Sequence, residues 1–485
     1  MNKKTFFWLA AIVLFAIALR LIFFGGIGAS DDVLYTSYAS QLSKGDFSFP
    51  ATHHGTRLGL LYPESFMYYL FGINDFSSTI LVFAASIAGI ILAFYFGREF
   101  FNEKIGLISA FLLSIFPLDV VFATKLMPDL PSAFFLSLGV FFFLLAEKYE
   151  AKLKSRLNFI FSGLSIGIAY LIRESAILIL LFFLAYALLY RKFKISYFFV
   201  LFGFVVAFFI ESYIFLMHTG DFLYRFHSLS SYYPVVVEAD GFFGRGSFPL
   251  SMLHFPYIMF TSVQFGIFFP FILIAIAYSF KIKNKKAYPF LIWFFAPLLY
   301  LMLGTVSVSE YLPFAAIPRY LMLITYPSMI LLAAFLADKN ELVRKVLLPS
   351  VLLILLTTSI GFVYLDKESR HSIDNAKAVK DYISSLDKPV YADYRSTIVL
   401  EYLFGYSNPN ISSFMHVDNG AAINDADLGS IRDSYVFIDK KMIKNLLIPH
   451  PSIEFPKEIY SPPKNWIAVK EIKNSEGNAV LYYAP

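Results

Sequence analysis

Apolar residues in this chain gather into long runs, and charge collects in the short stretches between them. Runs of this length suit helices that cross a bilayer, because about 20 apolar residues span its hydrocarbon core. The pattern predicts eleven spans, at 6–24, 77–97, 105–122, 131–147, 157–172, 175–190, 195–217, 255–280, 288–303, 319–336 and 346–365. An odd count places the two ends of the chain on opposite sides of the membrane. The stretch 157–190 is split because one helix of that length would measure about 50 Å at 1.5 Å per residue, too long for one crossing. Arg173-Glu174 then marks a hairpin tip. Pro63 and Glu64 interrupt 58–73, which is expected as an interfacial helix within a long outer loop, 25–76. The first run follows Lys3 and Lys4 and is read as an uncleaved span, since no small-x-small cleavage pattern follows it.

From residue 366 the pattern changes. Short alternating segments at 389–393, 435–439, 467–472 and 479–483 predict strands, and 372–386 and 395–404 predict helices. The chain therefore divides into a transmembrane region, 1–365, and a small α/β domain, 366–485. The fold class is an all-α polytopic membrane protein with a C-terminal extracytoplasmic α/β domain. Asn410-Ile411-Ser412 forms a glycosylation sequon there.

Composition agrees with this division. The 485 residues are 58% hydrophobic and 15% charged, against about 25% charged in soluble proteins. The absence of cysteine excludes disulfides, thiolate metal sites and cysteine nucleophiles. Loop charge sets the orientation. Eighteen Lys and Arg fall in one set of loops, from Lys3 and Lys4 through Arg98, Lys148, Lys192 and Lys281 to Lys345. Seven fall in the other set: Lys44, Arg57, Lys125, Arg173, Arg225, Arg245 and Arg319. The richer set is expected in the cytoplasm.

With that orientation the unusual polar residues share the outer face: Asp31, Asp32, His53, His54, Arg57, Glu64, Asp119, Lys125, Asp129, Arg173, Glu174, His218, Arg225, His227, Arg245, Glu310 and Arg319. Ionisable groups at membrane depth usually line a cavity or substrate path. Asp31 and Asp32 are expected to open a helix with Ser30 at its N-cap. Acids in a first turn stabilise a helix by about 0.3–1 kcal/mol, and the same terminus would keep a carboxylate ionised for use as a base. Adjacent carboxylates point about 100° apart, so at most one aims at a given site. Asp129, between Pro128 and Pro131, reads as a helix-start acid or as a second acid of the same cavity. Arg173 and Arg319 read as headgroup anchors or as a clamp for an anion, and Arg173 with Glu174 as an ion pair at the tip. His53-His54 lacks the i,i+4 spacing of a helical zinc site and is read as a polar loop. No phosphate-binding glycine loop and no G-x-S-x-G occurs.

These residues resemble the GT-C fold glycosyltransferases that use polyprenyl-phosphate sugars. The nearest branches are the protein O-mannosyltransferases and the lipid A aminoarabinose transferases. Their Asp-Glu-x-x-Tyr motif reads Asp31-Asp32-Val33-Leu34-Tyr35 here, with Asp32 in place of Glu. Arg57 with Leu61-Tyr62-Pro63, the turn Gly97-Arg98-Glu99-Phe100-Phe101, Asp129, the span Gly163 through Glu174, and Pro318-Arg319-Tyr320-Leu321 with Pro327 follow in the family's order. The resemblance covers about 1–336. It implies Asp31, Asp32 and Asp129 as catalytic acids, with Asp31 as general base. It implies Tyr35, Arg57, Arg173, Glu174 and Arg319 as substrate-binding. The implied donor is a sugar on dolichyl or undecaprenyl phosphate, transferred with inversion to a hydroxyl of a protein, lipid or glycan on the outer face of a plasma or ER membrane. No metal ligand is named, although a divalent cation stays open, and no nucleic acid partner is expected. A lipid or sugar transporter, or a non-catalytic member that binds lipid-linked sugar, is the alternative.

Overall fold

In the computed structural model the described residues are 1–50, 52–149, 152–230, 249–305, 311–337, 343–368, 373–407, 410–418, 421–424, 427–447, 456–473 and 478–485. Arg245, Glu310 and Lys339 lie outside them. The first part of the chain forms α1 (Lys3–Ile22), α2 (Asp31–Lys44), α3 (Leu58–Phe71), α4 (Asp75–Phe100), α5 (Glu103–Ile115), α6 (Pro117–Phe122), α7 (Asp129–Lys148), α8 (Lys152–Ile172), α9 (Leu180–Leu189) and α10 (Phe198–Thr219). Seven helices among the described residues are long and apolar enough to cross a membrane: Lys3–Ile22, Asp75–Phe100, Asp129–Lys148, Leu153–Ile172, Ile195–Thr219, Pro318–Leu336 and Lys345–Asp366. Glu174–Leu189, Phe268–Lys281 and Tyr288–Leu303 are shorter apolar helices. The chain is an integral membrane protein.

Several expected spans are interrupted, each for a local reason. The run 105–122 breaks at Phe116, whose backbone is extended at φ −66° and ψ 119°. Pro117 then starts α6, because proline offers no N–H and disfavours helix in the residue before it. The run 255–280 divides into His254–Thr261 and Phe268–Lys281. Between them Gly266 takes φ +55°, in the left-handed region. The run at 319–336 begins as a tight 3-10 turn, Pro318–Ile324, before relaxing into Thr325–Leu336.

Side-chain bonds separate the two ends of the bundle. At one end Glu103 accepts from Asn2 at 3.2 Å and Thr5 at 2.6 Å. Glu99 pairs there with Lys148 at 3.2 Å, and Glu147 with Lys192 at 3.1 Å and Lys194 at 2.7 Å. This end carries the lysine-rich loops. At the other end Arg173 pairs with Asp129. Helix α8 thus runs away from the basic end to Arg173, and α9 returns toward Lys192, which makes 157–190 a hairpin. Helix α3 runs unbroken through Pro63. At about 21 Å for 14 residues it is too short to cross. Leu58, Leu60, Leu61 and Tyr68 face inward, while Phe66, Tyr69, Leu70 and Phe71 are exposed, as on an interfacial helix.

Close packing is set by small residues. A Cβ on Gly163 would lie 2.1 Å from the Val200 carbonyl oxygen, and one on Gly203 would lie 2.6 Å from the Leu164 nitrogen. These glycines let α8 and α10 touch backbone to backbone. Asp119, expected with the outer polar residues, is instead part of a buried pin. Arg20 of α1 donates to it at 2.5 Å and to Ser86 of α4 at 2.7 Å. The break at Phe116 is what turns Asp119 inward toward Arg20.

The described C-terminal strands form a five-stranded sheet and a two-stranded hairpin. The strands are β1 (Val390–Ala392), β2 (Ile411–Ser413), β3 (Met415–Asp418), β4 (Ala421–Asn424), β5 (Ser434–Asp439), β6 (Ile467–Ile472) and β7 (Ala479–Ala484). Strand β1 is parallel to β2 and β5, and the β5-β7-β6 edge is antiparallel. The helix Tyr394–Leu403 crosses between β1 and β2. Its N-cap, Asp393, accepts from the Arg395 and Ser396 amides, both at 3.1 Å. The hairpin β3-β4 and the strand β2 were not expected. Strand β2 begins within the sequon, whose Asn410 carbonyl accepts from the Val390 amide at 2.8 Å.

Candidate active site

The acidic pair is divided by the geometry of a helix start. Ser30 occupies the N-cap position of α2, but its hydroxyl makes no capping bond. Asp32 does that work. Its carboxylate accepts from the Gly28 amide at 2.7 Å and from the Ser30 and Val33 amides at 3.1 Å each. Three such bonds tie the 25–30 loop into a knot and leave Asp32 outside the charged cluster. Asp31, one residue earlier and turned about 100° away, faces that cluster. Arg319 Nη2 lies 3.0 Å from one of its oxygens and His54 Nε2 lies 3.6 Å from the other. Burial works against ionisation, but Arg319 and then His54 hold Asp31 well below the usual carboxylate range.

Asp129 is the first residue of α7 and is buried. It pairs with Arg173, and Arg319 Nε stands 3.9 Å away. The Arg173 guanidinium also lies over the Tyr320 ring, 4.7 Å from its centre. Pro318 begins the 3-10 turn that presents Arg319 and Tyr320 to this point. Arg319 therefore bridges the two aspartates, and Asp31–Arg319–Asp129–Arg173 forms one alternating string.

A second string lies beside it. Arg57 donates to the Tyr35 hydroxyl and forks onto Glu174 at 3.1 and 3.4 Å. Glu174 also faces Arg225 at 3.8 Å, and Arg225 reaches Glu211 at 2.7 Å. Arg173 and Glu174, read in sequence as partners of each other, instead join different strings. Four guanidiniums thus alternate with four carboxylates, which is how charges are kept where water is scarce. Among the described residues the Nε atoms of Arg173, Arg225 and Arg319 have no hydrogen-bond acceptor.

The structure brings together seven of the eight predicted site residues: Asp31, Tyr35, Arg57, Asp129, Arg173, Glu174 and Arg319. It also adds three that were not named as site residues: His54 and Arg225, noted only among the outer polar residues, and Glu211, which the sequence reading passed over. His54, read as polar loop, packs 5.4 Å from the Tyr35 ring and contacts Asp31. Arg225 and Glu211 close the second string, and the signal was Glu211 itself, one acid inside an apolar run. Asp31 and Asp129 meet a guanidinium between them. Among the described residues no three His, Asp or Glu side chains group together.

Against this cluster opens a cavity of about 360 Å³. Arg173, Glu174 and Tyr170 stand at its charged side, and Leu178, Leu301 and Phe314 supply apolar wall.

The family model of dolichyl-phosphate-mannose-protein mannosyltransferases matches residues 59–215. The apo structure of ArnT from Cupriavidus metallidurans superposes with a TM-score of 0.60 at 14% identity, over 99% of this chain and 98% of that one. The chain has the GT-C fold. ArnT bound to undecaprenyl phosphate matches this GT-C protein with a TM-score of 0.58 at 14% identity, over 98% of each chain. The apo oligosaccharyltransferase of Archaeoglobus fulgidus gives 0.58 at 13% identity, over 96% of this chain and 73% of its own. No curated protein sequence matches the chain. Family model and fold together support a glycosyltransferase.

The second string can be tested as a structural unit. Glu211→Leu leaves Arg225 buried on the Tyr170 carbonyl at 2.9 Å, with only the more distant Glu174 as a counter-charge, and should destabilise the protein by about 3–5 kcal/mol. Adding Arg225→Met should restore most of that loss. Thermal unfolding of both variants in detergent checks this, and an unaltered single variant would mean the pair contributes nothing.

Proposed function

We propose that this GT-C protein moves a sugar from a polyprenyl phosphate, dolichyl or undecaprenyl, to an acceptor hydroxyl, with inversion at the anomeric carbon. One observation carries the reading: an ionised carboxylate, Asp31, shares a charged cluster with Arg173, which stands at the head of an apolar cavity. A lipid phosphate has the matching chemistry, an anion joined to hydrocarbon. The description of the matching family names dolichyl-phosphate-mannose, and the ArnT structure that resembles this chain holds undecaprenyl phosphate.

In this mechanism Asp31 takes the proton of the acceptor hydroxyl as its oxygen attacks the anomeric carbon. The bond from that carbon to the phosphate oxygen breaks, and its electron pair leaves on the phosphate. Arg173 meets the growing charge there, with its unpartnered Nε available. Asp129 holds Arg173 and Arg319 in place, and Arg57 fixes Tyr35 and Glu174 beside them. Asp32 acts as the knot of the loop. The site and the C-terminal domain lie on the extracytoplasmic face, which the loop-charge asymmetry supports. A reporter that works only outside the cytoplasm, fused after Pro485, should be active. A silent fusion would reverse the orientation.

Two kinetic outcomes test the chemistry, with a radiolabelled polyprenyl-phosphate sugar as donor. Asp31→Asn should lower turnover by about a hundredfold or more while donor binding persists. The pH profile gives an independent reading of the same base. Asp31 must be ionised to act, so activity holds above its pKa and falls as pH drops through it. Arg319 keeps that pKa low, so Arg319→Met should move the acid limb to higher pH. A limb that stays put would remove Asp31 from the base role.

Arg173→Ala should weaken donor binding by about 1.5–3 kcal/mol, or roughly ten- to a hundredfold. Arg173→Lys should recover only part, since the planar fork is lost. Equilibrium binding of undecaprenyl phosphate decides the point. Wild-type affinity in Arg173→Ala would place the clamp elsewhere.

A further inference from the structure

The aim of Asp31 depends on where α2 begins, and α2 is held from above by the C-terminal domain. Three side chains from 395–406 reach the acidic segment. Arg395 donates to the Ala29 carbonyl at 3.2 Å, two residues before Asp31. Tyr402 donates to Asp75 at 2.7 Å, and the same Asp75 oxygen accepts from the Ile27 amide at 3.4 Å. Tyr406 touches both ends of α2. Its hydroxyl shares a 2.7 Å bond with Thr36 and lies 3.3 Å from the Val33 carbonyl, in the first turns of the helix. Its own carbonyl accepts from Lys44 at 2.7 Å, in the last turn.

Tyr406 also departs from ordinary backbone geometry. It has φ +54°, directly after Gly405 at φ +63°. A bulky residue in the left-handed region is a genuine outlier, and such strain persists only where surrounding contacts hold it. Here its amide is held locally by the Glu401 carbonyl at 2.7 Å, and its hydroxyl and carbonyl are held by α2.

From this geometry we infer that Tyr406 is a positioning residue for the transfer reaction, splinting α2 so that Asp31 stays aimed at the acceptor. The inference rests on the function proposed above for Asp31. The C-terminal domain then completes the active site without touching substrate. A small displacement of a base costs rate more than it costs binding, because the donor phosphate is held by other elements.

The test uses the full-length protein in detergent or lipid nanodiscs, with Tyr406→Phe, Thr36→Val and the double variant. Tyr406→Phe keeps the ring and removes the hydroxyl bonds. Turnover should fall by about tenfold, with the KM for polyprenyl-phosphate sugar and the melting temperature unchanged. Hydrogen exchange should rise in residues 27–36 alone. The double variant should be no slower than the slower single one, because both remove the same bond. Unchanged turnover with unchanged exchange in 27–36 overturns the proposal. A fall in turnover with lost protection throughout the chain also overturns it, since Tyr406 would then be a general stabiliser. If wild-type protein transfers no sugar, the transferase reading fails. Local exchange in 27–36, measured with undecaprenyl phosphate binding intact, still decides whether Tyr406 holds α2.

Discussion

Arg319 is the charge on which the site depends. It lies 3.0 Å from Asp31 and 3.9 Å from Asp129, two acids that begin different helices nearly a hundred residues apart. Without that cation Asp31 would lose the charge that most favours its ionised form, and Asp129 would keep only Arg173. With it, Asp31 is held below the usual carboxylate range and the start of α7 is tied to the start of α2. The bridge requires Arg319 to arrive from a third direction. Pro318 and the 3-10 turn after it supply that approach before the chain relaxes into a regular helix.

The same economy explains the broken helices. Regular spans would satisfy the bilayer, since every backbone group is paired within the segment. The breaks at Phe116, Arg173 and Pro318 fall where a polar side chain leaves the helix to meet a partner. Phe116 turns Asp119 toward Arg20, and Arg173 reaches Asp129 at a hairpin tip. Irregular backbone at these depths is tolerated because it is enclosed by protein. Small residues elsewhere compensate by letting helices pack closely, as Gly163 and Gly203 do between α8 and α10.

The acidic loop is fixed from both sides. Asp32 knots it internally through three backbone amides, and Arg395, Tyr402 and Tyr406 hold it from the C-terminal domain. The two aspartates look equivalent in sequence, yet one is spent on backbone and the other is free for the cluster. That division follows from the 100° step between helical neighbours, which forbids both from facing one way.

The long apolar runs by themselves determined that the chain is a polytopic helical membrane protein, because hydrocarbon admits no other use for such segments. Charge density also marked the hairpin at Arg173-Glu174, and alternation marked strands β1, β5, β6 and β7 close to their ends. Short order-dependent motifs around Asp31, Arg57, Asp129 and Arg319 pointed to the residues of the charged cluster and to the GT-C fold. The pairing of those residues was not legible. Arg173 beside Glu174 looked like an ion pair, His54 like loop, and Glu211 drew no notice inside its apolar run. Each found its partner from another helix, and sequence spacing carries no information about that. Only the tertiary structure decided which charges meet, because an ion pair forms between groups brought within about 4 Å, and folding sets that distance across the bundle.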